Sequence, residues 1–262
     1  TLCEMVEADF GQRGDVRIHC NQENRGLSFG RNTGAEMASG EVVAFLDDDA
    51  VADDRWIEEL IAAYNRHDAD AVGGRMAPRW IAGEPQFLPE EFYFLIGVTY
   101  RGFPTTEQKV RNTFSSNLSF RRDVFLELGG FREHMGKRGS NDLQGGETEL
   151  CARLREVTDS GVLYTPEAVV AHKVFEHRTE LGWLVRRAFW QGYSKRTIEQ
   201  LVSYEALTEE GRFLQQLLAK SVPRRVAQLI RHPDLPGLTQ LVSLGVLTGT
   251  VGLGYLYGIL RG

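Results

Sequence analysis

The apolar run Val42-Val43-Ala44-Phe45-Leu46 ends directly on Asp47-Asp48-Asp49. Two carboxylates one residue apart at the carboxyl end of a strand can hold Mg²⁺ or Mn²⁺ and leave positions open for the phosphates of a substrate. Asp47 and Asp49 are therefore candidate metal ligands. Asp clusters after strands also make turns and cap helices. Here Asp53 and Asp54 stand immediately before the helically spaced apolar residues of Trp56 to Tyr64 and cover that role.

The elements that must position these carboxylates follow from apolar periodicity. A strand is expected over Val16 to Cys20, then a polar loop, a helix over Ser28 to Ala38, the strand Val42 to Leu46 and the helix Trp56 to Tyr64. Such alternation implies βαβ units in an α/β fold with a mostly parallel sheet. With 262 residues and 42% apolar content the chain can bury a sizeable core, which excludes a disordered protein. A net charge of −6, spread along the sequence, leaves no basic footprint, so no nucleic-acid partner is expected. The 3 cysteines, an odd number without C-x-x-C spacing, argue for neither a disulfide framework nor a zinc site, so a reduced cytosolic catalytic domain is the default. Thr1 to Asp9 reads as the middle of a helix or a loop, which suggests a fragment.

Several stretches occur together in order. Asn24-Arg25-Gly26-Leu27-Ser28-Phe29-Gly30-Arg31-Asn32-Thr33-Gly34 is followed by Ala38-Ser39-Gly40-Glu41 and by Phe45-Leu46-Asp47-Asp48-Asp49. Asn117-Leu118-Ser119-Phe120-Arg121-Arg122, Leu128-Gly129-Gly130-Phe131 and Gly146-Glu147-Thr148-Glu149-Leu150-Cys151-Ala152-Arg153-Leu154 come later. Over about residues 16 to 175 this ordered set resembles the family 2 glycosyltransferases of the GT-A fold. Within that family the chain is most similar to archaeal enzymes that extend a dolichyl-phosphate-linked glycan, of the type that transfers glucuronic acid to glucosyl-dolichyl phosphate in protein N-glycosylation. It departs from the family in lacking the opening strand that ends in Pro-Thr-Tyr-Asn and the next strand with its acidic, nucleoside-holding residues.

The resemblance implies an inverting, metal-dependent hexosyltransferase. A nucleotide-sugar donor, UDP-linked by expectation, would place its diphosphate on Mn²⁺ or Mg²⁺ held by Asp47 and Asp49, with His172 approaching the metal from the run Ala168 to Ala171. Arg31, Asp47, Asp48, Asn117 and Arg122 match positions that face donor or nucleotide. The acceptor hydroxyl needs a general base. Glu147 stands at that position, where Asp is usual in the family, and its helix-mate Glu149 is the alternative. Both also suit the first turn of a helix, where carboxylates meet the positive end of the macrodipole. The glycine-rich loop Met135 to Asp142 suits a flap over substrate.

Three parts are expected: a GT-A catalytic domain over 1–177 without its first strands, a helical region over 178–236, and a hydrophobic segment over 237–262. Trp183 to Arg196 mixes aromatic and basic residues as interfacial helices do. Leu241 to Leu260 carries no charge, is long enough to cross a bilayer, and repeats Gly245/Gly249 and Gly254/Gly258 at G-x-x-x-G spacing. A position on the cytoplasmic face of the cell membrane, with a lipid-linked glycan as acceptor, is the expectation. Two other readings remain open. Asp47 and Asp49 also satisfy the first motif of haloacid-dehalogenase-type phosphatases, as nucleophile and general acid, although no second acidic pair follows Leu154. A catalytically inactive scaffold of the same fold is the other.

Overall fold

A computed structural model of the chain describes residues 2–133, 135, 143–158, 160–202 and 208–261. In chain order the elements are α1 (Leu2–Phe10), α2 (Leu27–Met37), β1 (Val42–Phe45), β2 (Ala50–Ala52), α3 (Trp56–His67), β3 (Ala71–Trp80), β4 (Gln108–Val110) and β5 (Leu118–Arg121). They continue with α4 (Arg122–Glu127), α5 (Gly146–Thr158), β6 (Val162–Val174), α6 (Leu181–Glu199), α7 (Thr208–Gln216), α8 (Val222–Arg231) and α9 (Leu235–Arg261). The expected helices at 28–38 and 56–64 and the strand at 42–46 are present within a residue or a turn.

The six strands run β1-β5-β3-β6-β2, with β4 also on β6. β3 pairs with β6 in parallel, while β1–β5, β3–β5, β2–β6 and β4–β6 are antiparallel. The sheet is mixed as expected, but its parallel majority is not found. Helix–strand alternation requires crossovers without fixing which neighbours a strand meets, and β2, β4 and β5 run opposite to β1, β3 and β6. The expected strand Val16 to Cys20 is a second correction. That stretch pairs with no strand and is held instead by a Cys3–Cys20 disulfide and by Arg17, whose guanidinium donates to Met37 O at 2.7 Å. The disulfide corrects the expectation of unpaired cysteines too, because an odd count rules out complete pairing and not a single bridge; Cys151 is free and buried.

β1 and β2 belong to opposite sides of the sheet yet are separated by only residues 46–49. The acidic segment therefore runs across the strand ends. The β3–β6 ladder shifts register between Gly74 and Arg75. A side chain at Gly74 would collide with Ala168 O and the Asn117 amide, so the two strands close over that break only with glycine there.

Three apolar clusters hold the layers. Val43, Phe45, Leu118, Phe120, Phe125, Phe131, Leu150 and Leu154 pack α2, α4 and α5 on one part of the sheet. Trp56, Leu60, Tyr64, Val72, Met76 and Val170 pack α3 on another. The third joins Phe92, Leu95, Ile96 and Val174 to Leu184, Ala188, Leu217, Leu244 and Leu247, so the C-terminal helices share a core with the sheet.

α9 has two faces. Leu247, Val251, Gly254 and Gly258 lie against the protein, and side chains at Gly192 or Gly254 would strike the facing backbone of Val251 or Phe189. α6 and α9 therefore meet at backbone distance, with Tyr255 Oη donating to Glu199 at 2.8 Å and the Phe189 and Tyr257 rings 5.5 Å apart. Val242, Val246, Leu253, Leu256 and Leu260, spaced by turns of the helix along the other side, are exposed. By length and composition α9 could cross a membrane.

Candidate active site

Asp47, Asp48 and Asp49 occupy the crossing between β1 and β2. The backbone there is fixed at both ends: Asp47 N donates to Ser116 Oγ at 3.1 Å, and Asp49 O accepts from Lys173 N at 2.8 Å. Ala50 opposite His172 in the β2–β6 register brings the imidazole beside Asp49, with Nε2 3.3 Å from Oδ1. Burial lowers the His172 pKa from its ordinary value against the opposing pull of Asp49, while Arg178 adds to the lowering, so the ring is neutral at pH 7. Its Nδ1 is buried.

Two arginines close on the carboxylates. Arg31, on α2, reaches Asp47 Oδ1 with Nη2 at 2.6 Å. Arg178, from the short turn Glu176–Thr179 after β6, reaches Asp49 Oδ2 with Nη2 at 2.8 Å and His172 Nε2 with Nη1 at 3.1 Å. Asp48 is exposed. Among the described residues no group of three or more His, Cys, Asp or Glu side chains converges as a preformed ligand set, since Asp47 is turned to Arg31. The donor types nevertheless fit a hard divalent cation: two carboxylates and one neutral imidazole, with the cationic partner of Asp49 already lying between it and His172.

Other expected site residues serve the fold. Asn117 is fully buried at the β3–β6 break, where its amide donates to Ala168 O at 2.8 Å and Arg75 O at 3.1 Å and its Oδ1 accepts from Trp56 Nε1 at 2.8 Å. The side chain thus satisfies carbonyls next to the shifted register. Arg122 donates to Ala35 O at 3.2 Å and Glu36 O at 3.1 Å, a cation on the carboxyl end of α2. Asn117 and Arg122, both expected to face the donor, thus spend these hydrogen bonds on the protein's own carbonyls. Glu149 is likewise engaged: fully buried, it takes Arg132 and Arg153 each at 2.7 Å, and Arg153 also donates to Gly130 O at 2.6 Å. This fixes the loop of Gly129 and Gly130, both at positive φ, against α2, where Asn32 exchanges two hydrogen bonds of 2.8 Å with the Phe131 backbone.

Glu147, in the first turn of α5, is partly exposed and makes no hydrogen bond or ion pair within the described residues. Of the two first-turn carboxylates of α5, it is the one without an arginine partner within the described residues. The start of α5 rests on α6, with Gln144 N donating to Ser194 Oγ at 3.0 Å and Gly145 closing on Ile198. The expected flap falls largely on residues 136–142, outside the described residues. Sequence reasoning missed Arg178 and Ser116; the nearby Glu176-His177-Arg178 run offered no spacing that marks a site.

Comparisons with known proteins bear on the family and the fold. The profile of Glycosyl transferase family 2 matches residues 2–129. The glucosyl-dolichyl phosphate glucuronosyltransferase of Haloferax volcanii is 47% identical over 258 residues, covering 98% of this chain and 82% of that protein. Among solved structures, Staphylococcus aureus TarS with UDP-GlcNAc superposes with a TM-score of 0.50 at 13% identity, over 96% of this chain and 69% of that one. The Pyrobaculum calidifontis mannosyltransferase PcManGT with GDP-Man and Mn²⁺ does so with 0.50 at 15% identity, over 90% and 68%. Such distant likeness speaks to fold alone, and the fold is that of GT-A enzymes. The phosphatase reading of Asp47 and Asp49 is thereby set aside: the chain belongs to the family 2 glycosyltransferases.

Proposed function

We propose that this glycosyltransferase moves a sugar, by inversion, from a UDP-linked donor to a lipid-linked glycan, as glucuronosyl transfer to glucosyl-dolichyl phosphate. The observation that carries the reading is the gathering of Asp47, Asp49, His172, Arg31 and Arg178 on one short crossing at the strand ends. The donor and acceptor are taken from the name of the Haloferax relative, and the use of Mn²⁺ or Mg²⁺ is in keeping with the ion beside GDP-Man in PcManGT.

Asp49, His172 and Asp47 would hold the cation, which would offset negative charge growing on the departing nucleotide. Arg31 and Arg178 present permanently charged forks suited to phosphate oxygens. Glu147 accepts the proton of the acceptor hydroxyl as it attacks the anomeric carbon, and one displacement by one base inverts the configuration. A carboxylate in the first turn of α5, held by the α6 contact and free of arginine partners among the described residues, suits that role.

The acceptor's lipid explains the outer face of α9. Val242, Val246, Leu253, Leu256 and Leu260 would enter the cytoplasmic leaflet. α6, bound along α9, carries Arg186, Arg187, Lys195, Arg196 and Glu199, and each charge at a bilayer centre costs about 2.5–3.5 kcal/mol. The helix pair therefore rests at the interface rather than passing through it.

The test is calorimetric titration of UDP and UDP-glucuronic acid with and without Mn²⁺, followed by transfer to glucosyl-dolichyl phosphate. Metal-dependent binding absent in Asp49→Ala, and binding without transfer in Glu147→Gln, are expected. Full transfer by Glu147→Gln would remove the base assignment, and transfer unaffected by chelator would remove the metal.

A further inference from the structure

The guanidinium of Arg178 is unusually placed. It bridges Asp49 Oδ2 at 2.8 Å and His172 Nε2 at 3.1 Å, the same two side chains that the metal reading needs, and its side chain is only 23% exposed. A divalent ion bound by a carboxylate oxygen and an imidazole nitrogen sits about 2.0–2.2 Å from each. Arg178 cannot keep both contacts while such an ion is there, because two cations would then share one position. The hydrogen bond from Arg178 also requires Nε2 to present its lone pair, leaving the proton on the buried Nδ1, the tautomer a metal would demand.

We infer that Arg178 is a built-in substitute cation, holding Asp49 and His172 in register while the metal is absent and giving way when metal and diphosphate arrive together. The inference rests on the metal reading above. The site around Arg178 supports such an exchange. The residue belongs to the turn Glu176–Thr179, held by a backbone bond from Arg178 N to Phe175 O at 2.9 Å and by the Thr179 hydroxyl donating to Glu176 O at 2.7 Å, between the long β6 and α6. Its side chain can leave Asp49 without moving either element. Metal alone must displace it with nothing offered in return. Metal with a diphosphate supplies a new anionic partner for the released guanidinium. Binding of the two ligands is thereby coupled: each raises the affinity for the other, by a factor that has to be the same in both directions.

The experiment uses the whole chain, with Mn²⁺ and UDP as probes and no turnover. Free Mn²⁺ is followed by electron paramagnetic resonance, and its Kd is measured with and without saturating UDP for the wild type, Arg178→Gln and Arg178→Lys. Coupling energies of this kind correspond to about 5–150-fold. For the wild type, UDP should tighten Mn²⁺ by about tenfold or more. In Arg178→Gln, Mn²⁺ alone should bind about tenfold tighter than in the wild type, and the gain from UDP should shrink towards that from direct diphosphate–metal contact. Arg178→Lys, still cationic, should fall between the two, and a thermal melt checks that each variant is folded. Equal Mn²⁺ affinity in folded wild type and Arg178→Gln overturns the inference and leaves the metal site standing. Absence of Mn²⁺ binding in every protein, with or without UDP, overturns the metal reading and the inference with it.

Discussion

Replacing Asn117 by Ala separates a brace from a ligand contact. The side chain is fully buried and makes three hydrogen bonds: it donates to Ala168 O at 2.8 Å and Arg75 O at 3.1 Å and accepts from Trp56 Nε1 at 2.8 Å. Truncation leaves the indole N–H and both carbonyls short of a partner in a space that the neighbouring strands close. An orphaned buried group costs about 1–3 kcal/mol, towards the lower figure for a carbonyl that keeps a second lone pair occupied. The expected loss is about 3–5 kcal/mol, against a typical total of about 5–15 kcal/mol. For a chain of this size it corresponds to a fall in Tm of about 10 °C. Urea unfolding followed by tryptophan fluorescence is the assay, and buried Trp56, one of the bonded partners, is itself a reporter. At temperatures where the variant stays folded, UDP affinity should be close to wild type. A loss under about 1 kcal/mol combined with abolished UDP binding would refute the brace and return Asn117 to the donor.

Glu149→Gln should destabilise by about 3–5 kcal/mol, because it leaves Arg132 and Arg153 facing a neutral group inside the protein; chemical denaturation of this variant beside Glu147→Gln, expected to be near wild type, checks the division of labour. Gly254→Leu should separate α6 from α9, seen as a lowered melting temperature and rapid proteolysis of the C-terminal helices, whereas Gly249→Leu, with open space before it, should melt as wild type. Glu91 gives an acid-sensitive contact between the Glu90–Ile96 turn and α8. Burial alone would raise its pKa, but hydrogen bonds and charge from Arg225 outweigh it and the net shift is downward. A carboxyl with a lowered folded pKa stabilises above its unfolded pKa of about 4.3 and loses that contribution as pH falls through the folded value, so Glu91→Gln should flatten the stability profile below about pH 4.

Much of the local structure could be read in the chain: the helix before Asp47, the strand that delivers it, the helix after it and the long apolar C-terminal segment. These are set by apolar periodicity within a few turns. What escaped reading depends on contacts distant in sequence. Val16 to Cys20 has the alternation of a strand, but a strand exists only with a neighbour, and none meets it. Asn117 and Arg122 looked like substrate contacts because of the motif they belong to, and only the register break at Gly74 and the end of α2 reveal what their polar atoms satisfy. The contrast between Glu147 and Glu149 was half visible, since Glu149 and Arg153 stand at i, i+4 spacing, while Arg132 arrives from a different loop. Arg178 meets Asp49 across 129 positions of sequence, and no local pattern announces such a meeting.

The backbone contact between α6 and α9 has a consequence for where the reaction occurs. With no room for side chains at Gly192 and Gly254, the two helices cannot slide apart by a rotamer change, and α6 in turn supports the start of α5 through Ser194 and Ile198. If the outer face of α9 floats on lipid, the enzyme is not a head swinging on a tether. Glu147, proposed as the base, would then stand at a set height above the bilayer, and the acceptor would be measured by that height: a sugar one unit too near the phosphate, or one too far from it, would present its hydroxyl below or above that carboxylate.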